Sequence, residues 1–122
     1  MQLSPALGSL VNLRWLSARF NSISYIPSSL QRCENLKEIF LDHNTIEEFP
    51  RSFFIPHLES LSVRSNRLKH SPMMLSKMTR LATVDLEGNA LQYFPVDALK
   101  SLTKYVVILS SCTFSNANFM FY

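Results

Sequence analysis

The sequence predicts an α/β right-handed solenoid, with a parallel sheet on its concave side and short helical or irregular segments on its convex side. Three observations predict it. Four asparagines, Asn21, Asn44, Asn66 and Asn89, recur at intervals of 23, 22 and 23 residues, and a period of that length marks a stacked repeat. Each asparagine sits in the same apolar frame. Each is also followed six residues later by a proline: Pro27, Pro50, Pro72 and Pro95.

The frames read Leu13, Leu16, Ala18, Asn21, Ile23; Leu36, Ile39, Leu41, Asn44, Ile46; Leu58, Leu61, Val63, Asn66, Leu68; and Leu81, Val84, Leu86, Asn89, Leu91. The alternation around each second and third apolar position predicts a short strand with one face inward. A return after about 23 residues lays each strand parallel to its predecessor. At the asparagine the chain turns off the strand, leaving main-chain groups that a buried carboxamide can satisfy as donor and acceptor at once. Loss of a mid-stack asparagine is therefore expected to cost about 1–3 kcal/mol.

The prolines open the convex half, where a fixed φ suits a turn or the first residue of a helical turn. An apolar residue precedes three of them, Ile26, Phe49 and Phe94, and Ser71 departs from that pattern. Leu30, Phe53, Leu75 and Leu99 are placed to fill the convex core. A second convex slot takes Leu10, Cys33, Met78 and Leu102. The second repeat loses one residue around Phe54-Ile55-Pro56 and the fourth gains one near Asp97, both in the half that tolerates length changes.

The expected organisation is a solenoid over residues 1–104, with a partial repeat at 1–12 and repeats at 13–35, 36–57, 58–80 and 81–104. Leu3, Leu7 and Leu10 match a convex half, with Ser4 at the proline position. The remainder, 105–122, diverges: Tyr105, Ile108 and Ser110 suit a fifth strand, Thr113 stands where an asparagine would, and the end is aromatic and uncharged. No cap pattern flanks the repeats. Uncapped ends expose apolar core and strand edges and favour association. The chain reads as a truncated or alternatively terminated piece of a longer repeat protein.

The frame resembles the leucine-rich repeat family, whose motif is L-x-x-L-x-L-x-x-N-x-L, here present in four in-phase copies. With its prolines it is most similar to the intracellular 23-residue repeats of Ras-suppressor and scribble-type scaffolds. The resemblance implies a protein-interaction module without enzymatic activity, an intracellular scaffold or adaptor used in signalling. An extracellular recognition fragment, or a truncated product with little independent function, is the alternative.

Composition agrees with a binding domain. The 122 residues are 47% hydrophobic and 17% charged, as expected of one small globular unit. The net charge of +3 comes from 12 basic and 9 acidic residues spread along the chain, so no dense basic patch points to nucleic acid. The longest apolar run near the end, Tyr105-Val106-Val107-Ile108-Leu109, is far short of the ~20 residues that span a bilayer. The start lacks the basic and apolar regions of a secretory signal. Two cysteines, Cys33 and Cys112, form no framework or CxxC pair, which favours a cytoplasmic location.

No catalytic constellation emerges. Gly8 and Gly88 are the only glycines, so neither common phosphate-binding loop can be built. His43, His57 and His70 fall in different repeat positions, without metal-ligand spacing. Cys33 reads as a buried small hydrophobe, and Glu47-Glu48 as solvated turn charges. No cofactor or metal is expected.

Function is expected on the concave strands, whose variable positions form four columns. The first holds Trp15, Glu38, Ser60 and Thr83; the second holds Ser17, Phe40, Ser62 and Asp85. The third is Arg19, Asp42, Arg64 and Glu87, alternating in sign. The fourth is Phe20, His43, Ser65 and Gly88. The alternating charges can pair along the ladder or be re-formed with a partner. Trp15, Phe20 and Phe40 are large aromatics at positions that should face solvent, as interface anchors do. Two roles stay open for Trp15: anchoring a partner, or covering the first strand's edge and packing on Arg14 and Arg19. The candidate surface is thus Trp15, Arg19, Phe20, Phe40, Asp42, Arg64 and Glu87, on a frame held by Asn21, Asn44, Asn66 and Asn89. Its expected partner is a protein of unspecified identity.

Overall fold

Each inward apolar triplet closes a three-residue strand, and the return of the chain stacks these strands into one parallel sheet. They are β1 (Trp15–Ser17), β2 (Glu38–Phe40), β3 (Ser60–Ser62), β4 (Thr83–Asp85) and β5 (Val106–Ile108). The computed structural model describes residues 2–72, 75–92 and 106–108. Sheet order follows chain order, β1-β2-β3-β4-β5. The register is in phase, Trp15 with Glu38, Glu38 with Ser60, Ser60 with Thr83 and Thr83 with Val106. Strand neighbours are therefore also repeat neighbours, as the asparagine period requires. A fifth strand is present, but one residue out of the expected frame: Val107 rather than Ile108 pairs with the inward Val84, and Ile108 falls opposite Asp85, while Tyr105 and Ser110 lie outside the described residues.

Leu36, Ile39, Leu41 and Ile46 are wholly buried, as are Leu58, Leu61, Val63 and Leu68. In the first repeat Leu13, Leu16 and Ala18 are only partly buried, being packed against the core from one side. On the convex side each proline carbonyl accepts a hydrogen bond from the residue three positions on: Leu30 N to Pro27 O at 3.1 Å, Phe53 N to Pro50 O at 3.0 Å and Leu75 N to Pro72 O at 3.2 Å. In two repeats a 3-10 helix follows, Ser28–Arg32 and Leu75–Lys77. Leu30, Phe53 and Leu75 are buried as expected; Pro95, Leu99 and the insertion near Asp97 lie outside the described residues.

The one-residue deletion is visible on the convex side. Leu36, Leu58 and Leu81 each donate a main-chain bond to the residue in the second convex slot: Cys33, Ile55 and Met78 respectively. The slot follows the first convex residue by three positions in Leu30/Cys33 and Leu75/Met78, but by two in Phe53/Ile55. That half keeps the single turn closed by Phe53 N and Pro50 O but forms no 3-10 helix, and the rings of Phe49 and Phe53 pack 4.8 Å apart and tilted.

The N-terminal segment completes the convex layer. Ser4 caps a 3-10 helix, Pro5–Ser9, through its side chain. That helix lies on Ser28–Arg32, with Ser29 Oγ donating to Pro5 O at 2.8 Å and the Cys33 thiol to Leu7 O at 3.0 Å. A side chain at Gly8 would place its Cβ 2.6 Å from Ser29 O, so the close approach needs glycine. Leu10 differs from expectation: it occupies the position of Cys33 and Met78 but is exposed, since no convex segment covers it. Among the described residues no helix is long and apolar enough to cross a membrane.

Candidate functional site

The concave columns are positioned by the asparagines beneath them. Asn44 Oδ1 accepts from Ile23 N at 3.0 Å, while its Nδ2 donates to Ala18 O, Leu41 O and Asp42 O. Asn66 makes the same four bonds, to Ile46 N, Leu41 O, Val63 O and Arg64 O. Asn89 repeats them to Leu68 N, Val63 O, Leu86 O and Glu87 O. Each buried amide thus ties its own turn to the preceding repeat. Asn21 corrects the expectation of a four-rung ladder. It is exposed and bonds only Ala18 O and Arg19 O in its own turn, because β1 is the first strand of the sheet among the described residues.

At the β1–β2 end lie the aromatics and charges of all four columns. Trp15 is 56% exposed and leans on Phe40, ring centroids 6.2 Å apart and tilted. The guanidinium of Arg19 lies 4.4 Å over the Phe40 ring, and its Nε donates to Asp42 Oδ2 at 2.8 Å. Arg19 therefore packs on Phe40 rather than on Trp15. Phe20, 74% exposed, stacks on His43 at 4.5 Å and 7°. Trp15 itself stays more than half exposed.

The third column pairs unevenly. Asp42 is buried, 6% exposed, whereas the alternation predicts a column facing solvent. Its Oδ1 accepts from Ser62 Oγ and from Arg64 N, and its Oδ2 from Arg19. With Asp42 so engaged, the Arg64 side chain turns the other way, to Glu87 at 2.7 Å and Asp85 at 3.5 Å. The result is two separate charge groups, Arg19/Asp42 and Arg64/Asp85/Glu87.

Burial pushes the Asp85 carboxyl above its ordinary value, and the bond from Glu87 N and the Arg64 charge only partly oppose this. A raised carboxyl pKa favours the neutral form in the fold, so this group's contribution is lost as pH rises through that value. Asp85→Asn, which keeps an acceptor for Glu87 N, is expected to be more stable than the parent at pH 7. The gap should narrow below the unfolded value of about 4. Urea melts of variant and parent at both pH values check this; a variant no more stable than the parent at pH 7, or a gap that widens at low pH, would contradict it.

The fourth column is one that residue types alone do not reveal. Phe20, His43, Ser65 and Gly88 all have φ between 52° and 72°, the left-handed region. That conformation costs a bulky L-residue about 1–2 kcal/mol, and only Gly88 is free of it. Phe20 offsets the cost in part through its stack on His43, worth about 0.5–1.5 kcal/mol. His43, absent from the candidate surface read from sequence, belongs to it on this geometry. Burial likewise raises the Cys33 thiol pKa, as suits a packing residue, and the described residues hold no group of three potential metal ligands.

Comparison with known proteins follows this geometry. Residues 34–91 match a family described as Leucine rich repeat, and residues 12–33 match a second Leucine Rich Repeat description. Among solved structures, the chain is similar to one from the crystal structure of the LRIM1/APL1C complex, with a TM-score of 0.82 and 22% identity. The match covers 89% of this chain and 22% of that one. It is also similar to a chain of the Toll–Spatzle complex, described as a hub in Drosophila development and innate immunity. There the TM-score is 0.63 and identity 17%, over 90% of this chain and 19% of that one. The chain thus spans about a fifth of the length of these structures, and at such identities the likeness is one of fold. No curated protein sequence matches it.

Proposed function

Because the chain belongs to the leucine-rich repeat family, we propose that it is a protein-interaction module, an intracellular scaffold or adaptor that seats a partner on its concave face. The observation that carries this is the pair of large, exposed aromatics, Trp15 and Phe20, on a sheet face whose equivalent strand positions in β3 and β4 are the small or polar Ser60, Ser62, Thr83 and Asp85. Burying apolar surface on such anchors is the main source of interface affinity. Arg19 and Phe40 adjoin them, and Arg64, Glu87 and the buried Asp42 continue the surface along the sheet. The two solved structures named above are described as complexes, which supports the general reading. The intracellular assignment is supported by the repeat type and by the free, buried Cys33. The proposal assigns no catalytic step.

The test is affinity capture from cytosol with the intact chain and a Trp15→Ala/Phe40→Ala double variant. A direct partner should bind the variant at least about tenfold more weakly, as for truncation of two anchors. Equal capture by both chains would remove the concave face from consideration.

A further inference from the structure

Two arginines occupy equivalent positions on the concave face, yet their terminal donors have different fates. The Arg64 Nη2 is spent on Glu87 at 2.7 Å, with Asp85 beside its Nε. The head of Arg19 is held from below, by Asp42 at Nε and the Phe40 ring against its face, and its side chain is still 45% exposed. Among the described residues neither Arg19 Nη group makes a hydrogen bond. A guanidinium fixed at Nε and across one face presents its remaining N–H groups in a set plane, the arrangement that suits a carboxylate. Its immobilisation has already been met within the fold, so a ligand need not order it.

Aromatic groups occupy the concave positions before and after Arg19: Trp15, tilted against the Phe40 ring beneath the guanidinium, and Phe20, stacked on His43. Phe20 is held in left-handed backbone although it is the most exposed large hydrophobic among the described residues, so its ring contributes little to the core. We propose that this patch recognises a partner segment in which an Asp or Glu carboxylate lies beside an aromatic or large aliphatic side chain. The carboxylate takes the Arg19 terminal donors, and the apolar neighbour packs between Trp15 and Phe20. Glu38, across the strand pair from Trp15, disfavours a second acid on that side, which sets the apolar residue toward Trp15. The inference rests on the concave-face reading above and specifies its ligand.

The experiment is selection of a phage-displayed random dodecapeptide library on the intact chain, with parallel selections on Arg19→Gln, Phe20→Asn and Trp15→Ala/Phe40→Ala. Asparagine tolerates left-handed backbone better than phenylalanine, so Phe20→Asn should melt no lower than the parent, and a loss of binding there is not a loss of fold. Enrichment of an acid adjacent to an aromatic or leucine is expected on the parent chain. The acid should disappear on Arg19→Gln, with about tenfold weaker binding of the leading synthetic peptide, the range of one charge-assisted bond. Peptides that need Trp15 and Phe40 but carry no acid would overturn this inference and leave the concave face standing. Peptides indifferent to every variant, or no enrichment above the double variant, would overturn both.

Discussion

Asn44→Ala should lower the stability of this chain by about 3 kcal/mol, whereas Asn21→Ala should change it by less than about 0.5 kcal/mol. The two residues hold the same place in the repeat, so the contrast isolates what neighbouring repeats add. Alanine at 44 leaves the Ile23 N–H without its acceptor and removes one of two donors from each of the Ala18, Leu41 and Asp42 carbonyls, which keep only Asn21 Nδ2, Asn66 Nδ2 and Phe20 N respectively. Asn44 is buried, so water cannot replace those bonds without opening the turn. At 21 the lost bonds are local and exposed. Urea melts of the two variants give the comparison directly, and equal losses would mean that the asparagines act only within their own turns.

Asp42→Ala should cost about 2 kcal/mol, since it strips an acceptor from Ser62, from the Arg64 amide and from Arg19 together. Its larger consequence concerns the surface. Without Asp42 the Arg19 head loses its anchor and leaves the Phe40 ring, on which Trp15 also leans. Trp15 is the only tryptophan, so its emission reports on this cluster alone. The variant should change that emission under native conditions, before any unfolding transition. An unchanged spectrum in a destabilised variant would show that Asp42 supports the sheet but not the aromatic patch.

The frame was legible because burial imposes it. Every second apolar position had to face inward for the strands to pack, and the wholly buried Ile39, Leu61 and Val84 occupy those places. The columns followed from the same alternation. Their pairing did not follow, because an alternating row gives Arg64 two acidic neighbours and no rule for choosing. The choice was made by Ser62 and the Arg64 amide, which draw Asp42 inward. Nor could the left-handed column be read, since three of its four members are not glycine. The Phe20–His43 stack depends on that backbone, and so His43 was missed. Asn21 matched the motif fully in sequence, yet its role depends on a neighbour that the motif does not encode.

The inter-repeat bonds of Asn44, Asn66 and Asn89 all reach backward, to the repeat before. Every copy therefore brings the connector that joins it to its predecessor and offers the next one an identical docking edge. A duplicated segment inserted between two others would find both of its junctions already complementary. The shortened second unit shows that a change in length on the outer side leaves this joinery intact. Growth and shrinkage of such an array by unequal exchange need no compensating substitution at the seams, while the exposed columns stay free to diverge.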